Sequence, residues 1–303
     1  MPIFHESKGQ LLPIKEESFS LEKEMQSLVE KNLDSLLNLE FVRSEFTVKN
    51  RRIDTLGYDA ETKSFVIIEY KRTKNYSVVD QGMAYLQLML DNKAEFIVEY
   101  NESLLARLKR TDVDWSQSRL VFVAPGFTQD QLEATNFKDL NINLLEIRRY
   151  GNGVINVTHH GASSKAPSFK EVAPKSITGQ VVSKTIRSYT EDQHFRNGSE
   201  ESLELYERVK AGILNFGDDL AMKPKKMEIG FMRTKVFCDV VIQKKAIKLY
   251  INLHKGNLDD PKGIALDVSK KGHWGNGDYM VVITDDTRLE YVLSLVKQGY
   301  LAH

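Results

Sequence analysis

Hydrophobic positions in the first half of the chain switch between helical and strand-like spacing. LEKEMQSLVEKNLDSLL (21–37) repeats apolar residues every three or four positions and predicts one amphipathic helix. FVIIEYK (65–71) is an apolar, β-branched run of strand length, and RRIDTLGYD before it predicts another strand. The polar segment DAETK between them is typical of a tight connection, so the pair predicts a β-hairpin.

Helix and strand patterns continue to alternate after this hairpin. VVDQGMAYLQLML (78–90) and TQDQLEATNFKD (128–139) predict helices, and strands are predicted at AEFIVEY (94–100), RLVFVAPG (119–126) and INLLEIRRY (142–150). Strands of this apolar kind are covered on both faces. The pattern therefore predicts an α/β domain over residues 1–150, with a mixed sheet between helices.

Turn-forming residues dominate the next segment. GNG, GASSKAPS and VAPKS give residues 151–189 little periodicity and predict a linker. Residues 190–303 predict a smaller α+β domain, with helices at 200–217 and 287–301 and short strands at 227–233, 235–243 and 246–253. We therefore expect two separately packed domains.

Composition narrows the class of protein. With 303 residues the chain is long enough for about two domains that each bury a core. The 42 basic and 42 acidic residues cancel, so the chain lacks the broad basic field of a protein that coats nucleic acid. Cys238 is the single cysteine, which excludes a disulfide framework or a thiolate zinc site within one chain. No segment has the length of a signal peptide core or a membrane span, so we expect a cytoplasmic protein without a membrane partner.

Charged residues at the ends of the predicted hairpin strands carry the candidate chemistry. The hairpin brings Asp54 beside Glu69, and Lys71 shares a strand face with Glu69 while Tyr70 points to the other face. Two carboxylates can hold Mg²⁺ or Mn²⁺, which activates water for phosphodiester hydrolysis, and a lysine can position that water or stabilise charge on the phosphate. The alternative is a surface aspartate beside an ordinary glutamate–lysine ion pair, which the spacing alone favours.

The flanking segments add further candidates. Glu24 borders the buried face of the first predicted helix and is a better candidate than Glu30 to reach inward, whereas Gln81 and Tyr85 share one side of the second predicted helix. Gln81 could orient a water or contact a phosphate, or be an ordinary solvated residue. Basic residues that could contact phosphates lie at both ends of the hairpin, although solvated strand ends are an equal alternative: Arg51, Arg52, Arg72 and Lys74.

Together, Glu24, Asp54, Glu69-Tyr70-Lys71 and Gln81-x-x-x-Tyr85 resemble the PD-(D/E)xK nuclease superfamily, and most closely the catalytic domain of NucS-like endonucleases. The resemblance covers roughly residues 15–100. It implies a restriction-endonuclease-like fold in which Asp54 and Glu69 bind the metal ion and Glu24, Lys71 and Gln81 complete the catalytic site. Ile53 occupies the position of the motif's proline, which provides no ligand.

The second half of the chain has its own resemblance. LDDPKG (258–263) and DVSKKGHWGNGDYMVVI (267–283) resemble the C-terminal domain of a family labelled "predicted transport protein", although no membrane segment supports transport. An unusual cluster in this segment could bind a base or a small ligand: His273, Trp274, Asn276 and Asp278. A hairpin at Asn276-Gly277, with Trp274 as a core residue beneath it, is the favoured interpretation.

The sequence therefore predicts a metal-dependent, endonuclease-like enzyme that hydrolyses nucleic-acid phosphodiester bonds, with Mg²⁺ or Mn²⁺ as cofactor. We expect nucleic acid as its partner, with DNA as the first candidate, and a homodimer stays open. The alternative is a binding module for nucleic acid, protein or a small ligand that retains a nuclease fold without catalysis.

Overall fold

The chain forms two compact units, residues 1–188 and residues 189–303. The computed structural model describes residues 2–72, 77–137, 139–162, 166–169, 189–217, 219–233, 235–270 and 276–303. The predicted Lys74, His273 and Trp274, and most of the predicted linker, lie outside these described residues.

The first unit is built on a seven-stranded mixed sheet in the order β3-β8-β7-β6-β5-β4, with β9 also paired to β8. Its strands are β3 Glu16–Glu17, β4 Glu40–Val48, β5 Arg51–Asp59, β6 Ser64–Tyr70, β7 Arg119–Ala124, β8 Ile142–Tyr150 and β9 Ile155–His160. A separate hairpin, β1 Ile3–Ser7 and β2 Gln10–Ile14, precedes them. The helices are α1 Glu22–Glu30, α2 Leu33–Leu37, α3 Val78–Asp91, α4 Lys93–Leu104 and α5 Gln129–Thr135.

Chain direction in this sheet determines where side chains gather. β4, β5 and β6 form an antiparallel meander, whereas β6, β7 and β8 run parallel. The two parallel connections carry α3 with α4, and then α5. Because parallel strands end at one edge of the sheet, and ligands of open α/β sheets bind beyond that edge, the residues after Tyr70 are well placed for function.

The two faces of the sheet have separate hydrophobic cores. Phe65 and Ile67 of β6 pack with α3 residues such as Leu86, whereas Val66 and Ile68 pack on the opposite face with α1. Both faces are therefore covered, which confirms the predicted α/β class with a mixed sheet between helices.

Three sequence predictions for this unit are wrong. AEFIVEY, predicted as a strand, lies within α4, where Phe96 and Tyr100 fall on one side of the helix against Phe65. The first predicted helix is two helices, α1 and α2, separated by Lys31 and Asn32. Residues 155–160, assigned to the linker, form β9, which pairs with β8 from Leu144 to Arg149.

The second unit is a six-stranded antiparallel sheet with two long helices. The strands are β10 Ala221–Pro224, β11 Ile229–Met232, β12 Val236–Gln243, β13 Ala246–Ile251, β14 Leu266–Asp267 and β15 Tyr279–Ile283, in the order β10-β11-β12-β13-β15-β14. The helices are α6 Glu191–Phe195, α7 Glu200–Leu214 and α8 Leu289–Ala302. Apolar residues of β11, β12, β13 and β15 and of α7 and α8 form one core, separate from those of the first unit.

Candidate metal centre

The β5–β6 hairpin brings Asp54 and Glu69 into direct contact. Thr55 pairs with Ile68, so Asp54 and Glu69 are the next residues on the two strands. The Asp54 N–H donates to Glu69 Oε1 at 3.3 Å, and the Tyr70 N–H donates to Asp54 Oδ2 at 3.0 Å. Backbone donors of the hairpin thus hold both carboxylates at the end of β6, as the sequence predicts.

Lys71 lies on the same side as Glu69. Its Nζ is 3.5 Å from Glu69 Oε2, and its side chain is 22% exposed against 2% for Glu69. The Lys71 N–H donates to the Val123 carbonyl of β7, which fixes the backbone just beyond the strand end. The predicted trio of Asp54, Glu69 and Lys71 is therefore assembled, with the lysine on the solvent side.

Burial makes this carboxylate pair electrostatically costly. Loss of hydration, followed by the negative charge of Asp54, raises the pKa of Glu69 from 4.5 to about 7. Burial also raises the pKa of Asp54, opposed by the Tyr70 N–H and the Lys71 charge. One ammonium cannot offset two buried carboxylates, so an additional cation here would be stabilised by both.

The donor set matches a hard divalent cation. Mg²⁺ and Mn²⁺ prefer carboxylate oxygens, and Mg²⁺ commonly takes one or two protein carboxylates while water and substrate phosphates complete its shell. Among the residues that the structure describes, no group of three or more His, Cys, Asp or Glu side chains is arranged to hold a metal ion. Asp54 and Glu69 provide two carboxylates of this kind, held side by side by backbone N–H groups of the hairpin.

Tyr85 on helix α3 lies beside the carboxylate pair. The Tyr85 hydroxyl donates to the Arg52 carbonyl at 3.1 Å, which joins α3 to β5. Burial, followed by the charges of Glu69 and Asp54, raises the pKa of Tyr85, so its hydroxyl remains protonated beside them. Gln81 lies one turn earlier on the same side of α3 and is half-buried. The structure thus brings Tyr85 to the pair, with Gln81 one helical turn away on α3.

The structure does not bring Glu24 to the pair. Its carboxylate accepts hydrogen bonds from the Ser20 N–H and hydroxyl at 2.9 Å and from the Arg149 guanidinium, which together lower its pKa to about 2. Glu22, at the start of α1, is closer: it accepts the Arg72 N–H at 2.8 Å, and its negative charge contributes to the raised pKa of Asp54. The sequence pattern missed Glu22 because it ranked residues by the buried stripe rather than by the helix terminus.

A polar network supports Asp54 from the α1 side of the sheet. The buried Gln26 donates to the Asp54 carbonyl at 2.8 Å and to Glu30 at 2.9 Å. The Thr55 hydroxyl donates to Glu30 at 2.6 Å and lies within hydrogen-bond distance, 3.2 Å, of the Tyr70 hydroxyl. These contacts fix the backbone that carries the carboxylates, and sequence analysis assigned no role to Gln26.

The predicted basic residues differ in their contacts. Arg52 pairs with Glu45 at 2.8 Å, and the Arg72 guanidinium donates to the Ser20 carbonyl. Arg51 is exposed, and its charge acts on Tyr85. Lys74 lies outside the described residues. Arg51 and Arg72 therefore flank the carboxylate pair without a carboxylate partner within 4 Å in the described residues.

The C-terminal candidates that the structure describes have structural contacts. The Asn276 N–H donates to the buried Asp239 Oδ2 at 2.7 Å, and Asp278 Oδ2 accepts the Lys255 N–H at 2.7 Å. Gly277 has φ +85°, and a Cβ there would meet the Ile251 carbonyl oxygen at 2.1 Å. Only glycine fits this close backbone approach. Asn276 and Asp278 thus make contacts within the fold, whereas the hairpin with Trp274 beneath it stays a prediction.

Comparison with known sequences assigns the chain to a family. It is 49% identical over 299 residues to an uncharacterized protein of Haemophilus influenzae, and the alignment covers 99% of both chains. The chain belongs to the same protein family as this relative. Residues 191–303 match a domain of unknown function (DUF5655), which coincides with the second compact unit.

Solved structures give distant similarities to part of the chain. A complex of EndoMS with double-stranded DNA is 18% identical, with TM-score 0.30, over 45% of this chain and 50% of that one. A repair endonuclease from Pyrococcus abyssi is 20% identical, with TM-score 0.25, over 44% of this chain and 50% of that one. The chain thus matches about half the length of these enzymes, and at such TM-scores the similarity supports no conclusion about activity.

Two further expectations concern surroundings and assembly. Within the described ranges, no helix has both the length and the apolar character needed to cross a membrane. The described residues give no support to the homodimer.

Proposed function

We propose that this protein hydrolyses phosphodiester bonds of nucleic acid with Mg²⁺ or Mn²⁺ as cofactor. The observation that carries the proposal is the buried Asp54–Glu69 pair with Lys71 at its solvent side, at the carboxyl end of β6. A bound divalent ion at Asp54 and Glu69 would polarise the phosphate and lower the pKa of water. DNA is the substrate we propose to test first.

The chain's own residues have distinct tasks in this reaction. A water oxygen forms the new bond to phosphorus, the bridging P–O bond breaks, and the leaving oxygen takes up a proton while the water gives one to solvent. The Lys71 ammonium stabilises the negative charge that grows on the phosphate oxygens. The Tyr70 and Asp54 N–H groups keep the two carboxylates in place.

Tyr85 and Glu22 shape the surroundings of the pair. The Tyr85 hydroxyl remains a donor at neutral pH, because burial and two neighbouring carboxylates disfavour its ionisation. Glu22 holds the backbone of Arg72, the residue after Lys71, and adds negative charge near Asp54. We assign to Glu22 the role that the resemblance implied for Glu24.

A non-catalytic binding module is the second candidate. The ion pair between Lys71 and Glu69, at 3.5 Å, favours it, because the lysine already offsets part of the carboxylate charge without a metal ion. A module of this kind would bind nucleic acid equally well in EDTA and in Mg²⁺, and would leave it intact.

A cleavage assay on the full chain separates the two candidates. Labelled single-stranded DNA, duplex DNA and single-stranded RNA are incubated with Mg²⁺, with Mn²⁺ and with EDTA. We expect cleavage of at least one substrate with metal and none with EDTA. Asp54→Asn should abolish that cleavage, whereas Asp34→Asn on α2 should retain it.

Calorimetric titration with Mn²⁺ gives an independent measurement. Wild type should bind Mn²⁺ more tightly than Asp54→Asn, and Asp34→Asn should match wild type. Equal, weak binding by all three proteins, together with intact substrates, would remove the proposed metal site and its chemistry.

A further inference from the structure

A second cleft lies along α3, beside the turn between β4 and β5. Its cavity of about 270 Å³ is lined by Lys49, Arg51, Ala84, Gln87, Leu88, Asp91 and Asn92. Val48 pairs with Arg51 and Phe46 with Ile53, so Arg51 shares the sheet face that packs against α3. The cleft therefore joins the start of β5 to the exposed side of α3.

The two basic side chains of this cleft are exposed and can contact a ligand. Lys49 and Arg51 are both exposed, and no carboxylate of the described residues lies within 4 Å of either. The cleft's single acid, Asp91, accepts the Gln87 side-chain amide at 2.7 Å. Two cations against one hydrogen-bonded acid leave a net positive charge, which favours an anionic ligand.

The other basic pocket of this unit is different. It is lined by Arg72, Arg148 and Arg149 and has a volume of about 290 Å³. However, Arg148 pairs with Glu146 at 2.7 Å, and Arg149 pairs with Glu24. A phosphate would have to displace these carboxylates, whereas at Lys49 and Arg51 it would displace only water and counterions.

The α3 cleft has a fixed relation to the carboxylate pair. Arg51 precedes Asp54 by three residues on β5, which corresponds to about 10 Å at the usual rise of a strand. Between them, the Tyr85 hydroxyl joins α3 to the Arg52 carbonyl. A nucleic-acid strand in a duplex advances about 3.4 Å per nucleotide, so this separation spans about three nucleotides.

We propose that Lys49 and Arg51 form a phosphate-binding subsite, which holds the substrate strand about three nucleotides from the bond cleaved at Asp54 and Glu69. The proposal rests on the proposed function and deepens it. The ligand chemistry is the phosphodiester backbone, which DNA and RNA share. Contacts of this kind fix the register of the strand and do not read its bases.

The test compares the Lys49→Gln, Arg51→Gln double variant with wild type. The control is Lys63→Gln, because Lys63 is also an exposed lysine of a β-hairpin turn, with φ 53° against 54° for Lys49, at the opposite end of β5. The probes are fluorescein-labelled oligonucleotides of 4 and 20 nucleotides. Both lengths are made as single-stranded DNA and single-stranded RNA, and the longer one also as duplex DNA. Each probe is titrated with protein in EDTA at several salt concentrations.

The salt dependence of binding distinguishes the expected result from the contradictory one. For the 20-nucleotide probe that binds best, the slope of log K against log salt should fall by about 1.4 to 1.8 in the double variant, since each lost phosphate contact contributes about 0.7 to 0.9. The 4-nucleotide probe can occupy the subsite alone, so its binding should also weaken in the double variant, and Lys63→Gln should match wild type. An unchanged slope in the double variant would overturn the subsite.

Cleavage separates this proposal from the proposed function. If wild type binds the long probe with the steeper slope but cleaves nothing with Mg²⁺ or Mn²⁺, the subsite stands and the enzymatic proposal fails. If wild type cleaves and the double variant has the same KM for the long substrate, the enzymatic proposal stands and the subsite fails. Absence of any binding by wild type in EDTA would overturn the subsite, and the cleavage assay with metal would still decide the enzymatic proposal.

Discussion

Replacing Glu69 by glutamine is expected to stabilise the metal-free protein above pH 7. Glu69 is 2% exposed, and its pKa rises from 4.5 to about 7 because burial and Asp54 both disfavour the charged form. The amide of glutamine keeps nearly the same shape but has no charge to bury. Its oxygen can still accept the Asp54 N–H.

The size of the effect follows from the pKa. A pKa that rises from 4.5 to about 7 corresponds to about 3 kcal/mol of folding free energy once the group is ionised. Glutamine places an amide N–H₂ near the Lys71 ammonium, which removes part of that gain. We therefore expect Glu69→Gln to raise the free energy of unfolding by roughly 1 to 3 kcal/mol at pH 8.

The sign of the pH dependence is equally specific. Between pH 4.5 and 7 the native state retains a proton on Glu69 that the unfolded state has lost, so the free energy of unfolding falls as pH rises through this range. The contribution of the neutral carboxyl to the free energy of unfolding is complete below pH 4.5 and is lost above pH 7. The difference between variant and wild type should therefore be small at pH 4.5 and reach its maximum near pH 8.

Urea unfolding in EDTA at pH 4.5, 6 and 8 measures this difference, with Glu102→Gln on the exposed surface of α4 as the matched control. Millimolar Mn²⁺ at pH 8 should stabilise wild type and not Glu69→Gln, because only the former offers the ion two carboxylates. If Glu69→Gln is no more stable than wild type at pH 8, or if the difference does not depend on pH, the argument from carboxylate burial is refuted.

Three further predictions follow from other contacts. Lys71→Met should reduce cleavage by about 10²-fold or more while the metal affinity stays close to that of wild type, since Lys71 acts on the phosphate and not on the ion; single-turnover kinetics and Mn²⁺ titration measure the two. Tyr85→Phe should lower the free energy of unfolding by about 1 kcal/mol through loss of the bond to the Arg52 carbonyl, which urea unfolding measures. Lys225→Met should lower the free energy of unfolding of the second unit by about 3 to 5 kcal/mol. The reason is that Asp239, 3.0 Å from Lys225 Nζ, would be left buried without that cation. Thermal unfolding of residues 189–303 measures this loss.

Each of these variants has a control and a contradictory outcome. Residues elsewhere supply the controls. Lys31→Met for Lys71 and Lys245→Met for Lys225 change exposed residues, and Tyr189→Phe, the control for Tyr85, changes a half-buried one. Full cleavage by Lys71→Met would place the activity elsewhere. A Tyr85→Phe protein as stable as wild type would mean that the hydroxyl bonds equally well to water. A Lys225→Met unit with unchanged stability would contradict the stabilisation assigned to the Lys225–Asp239 ion pair.

The hairpin of the candidate site was predictable because its signals are local. An apolar run that ends in Glu69, a polar turn and a second strand give the register that places Asp54 beside Glu69. The contribution of α1 depends instead on how a whole helix is oriented, which hydrophobic spacing leaves open to within a residue or two. Glu24 turns to Arg149 on β8, a partner distant in sequence, and Glu22 takes the position near the pair.

The wrong strand at residues 94–100 has a similar origin. Phe96, Ile97 and Val98 have high β-propensity, and this local preference suggested a strand. In the folded protein, Phe96 and Tyr100 lie one helical turn apart and both contact Phe65 on β6. Packing against the sheet therefore outweighs propensity, which differs by less than about 1 kcal/mol between such residues.

The position of the two carboxylates depends on how strands β5 and β6 are aligned. The Glu69 carboxylate accepts the Asp54 N–H, and the Asp54 carboxylate accepts the Tyr70 N–H. A slip of one residue between these strands would therefore carry one carboxylate to the opposite face of the sheet. Changes in the length of the turn at Ala60–Lys63 are consequently tolerated only where they leave this alignment intact. The turn lies at the opposite end of the hairpin from Asp54 and Glu69, and its length nevertheless determines how these two carboxylates are aligned.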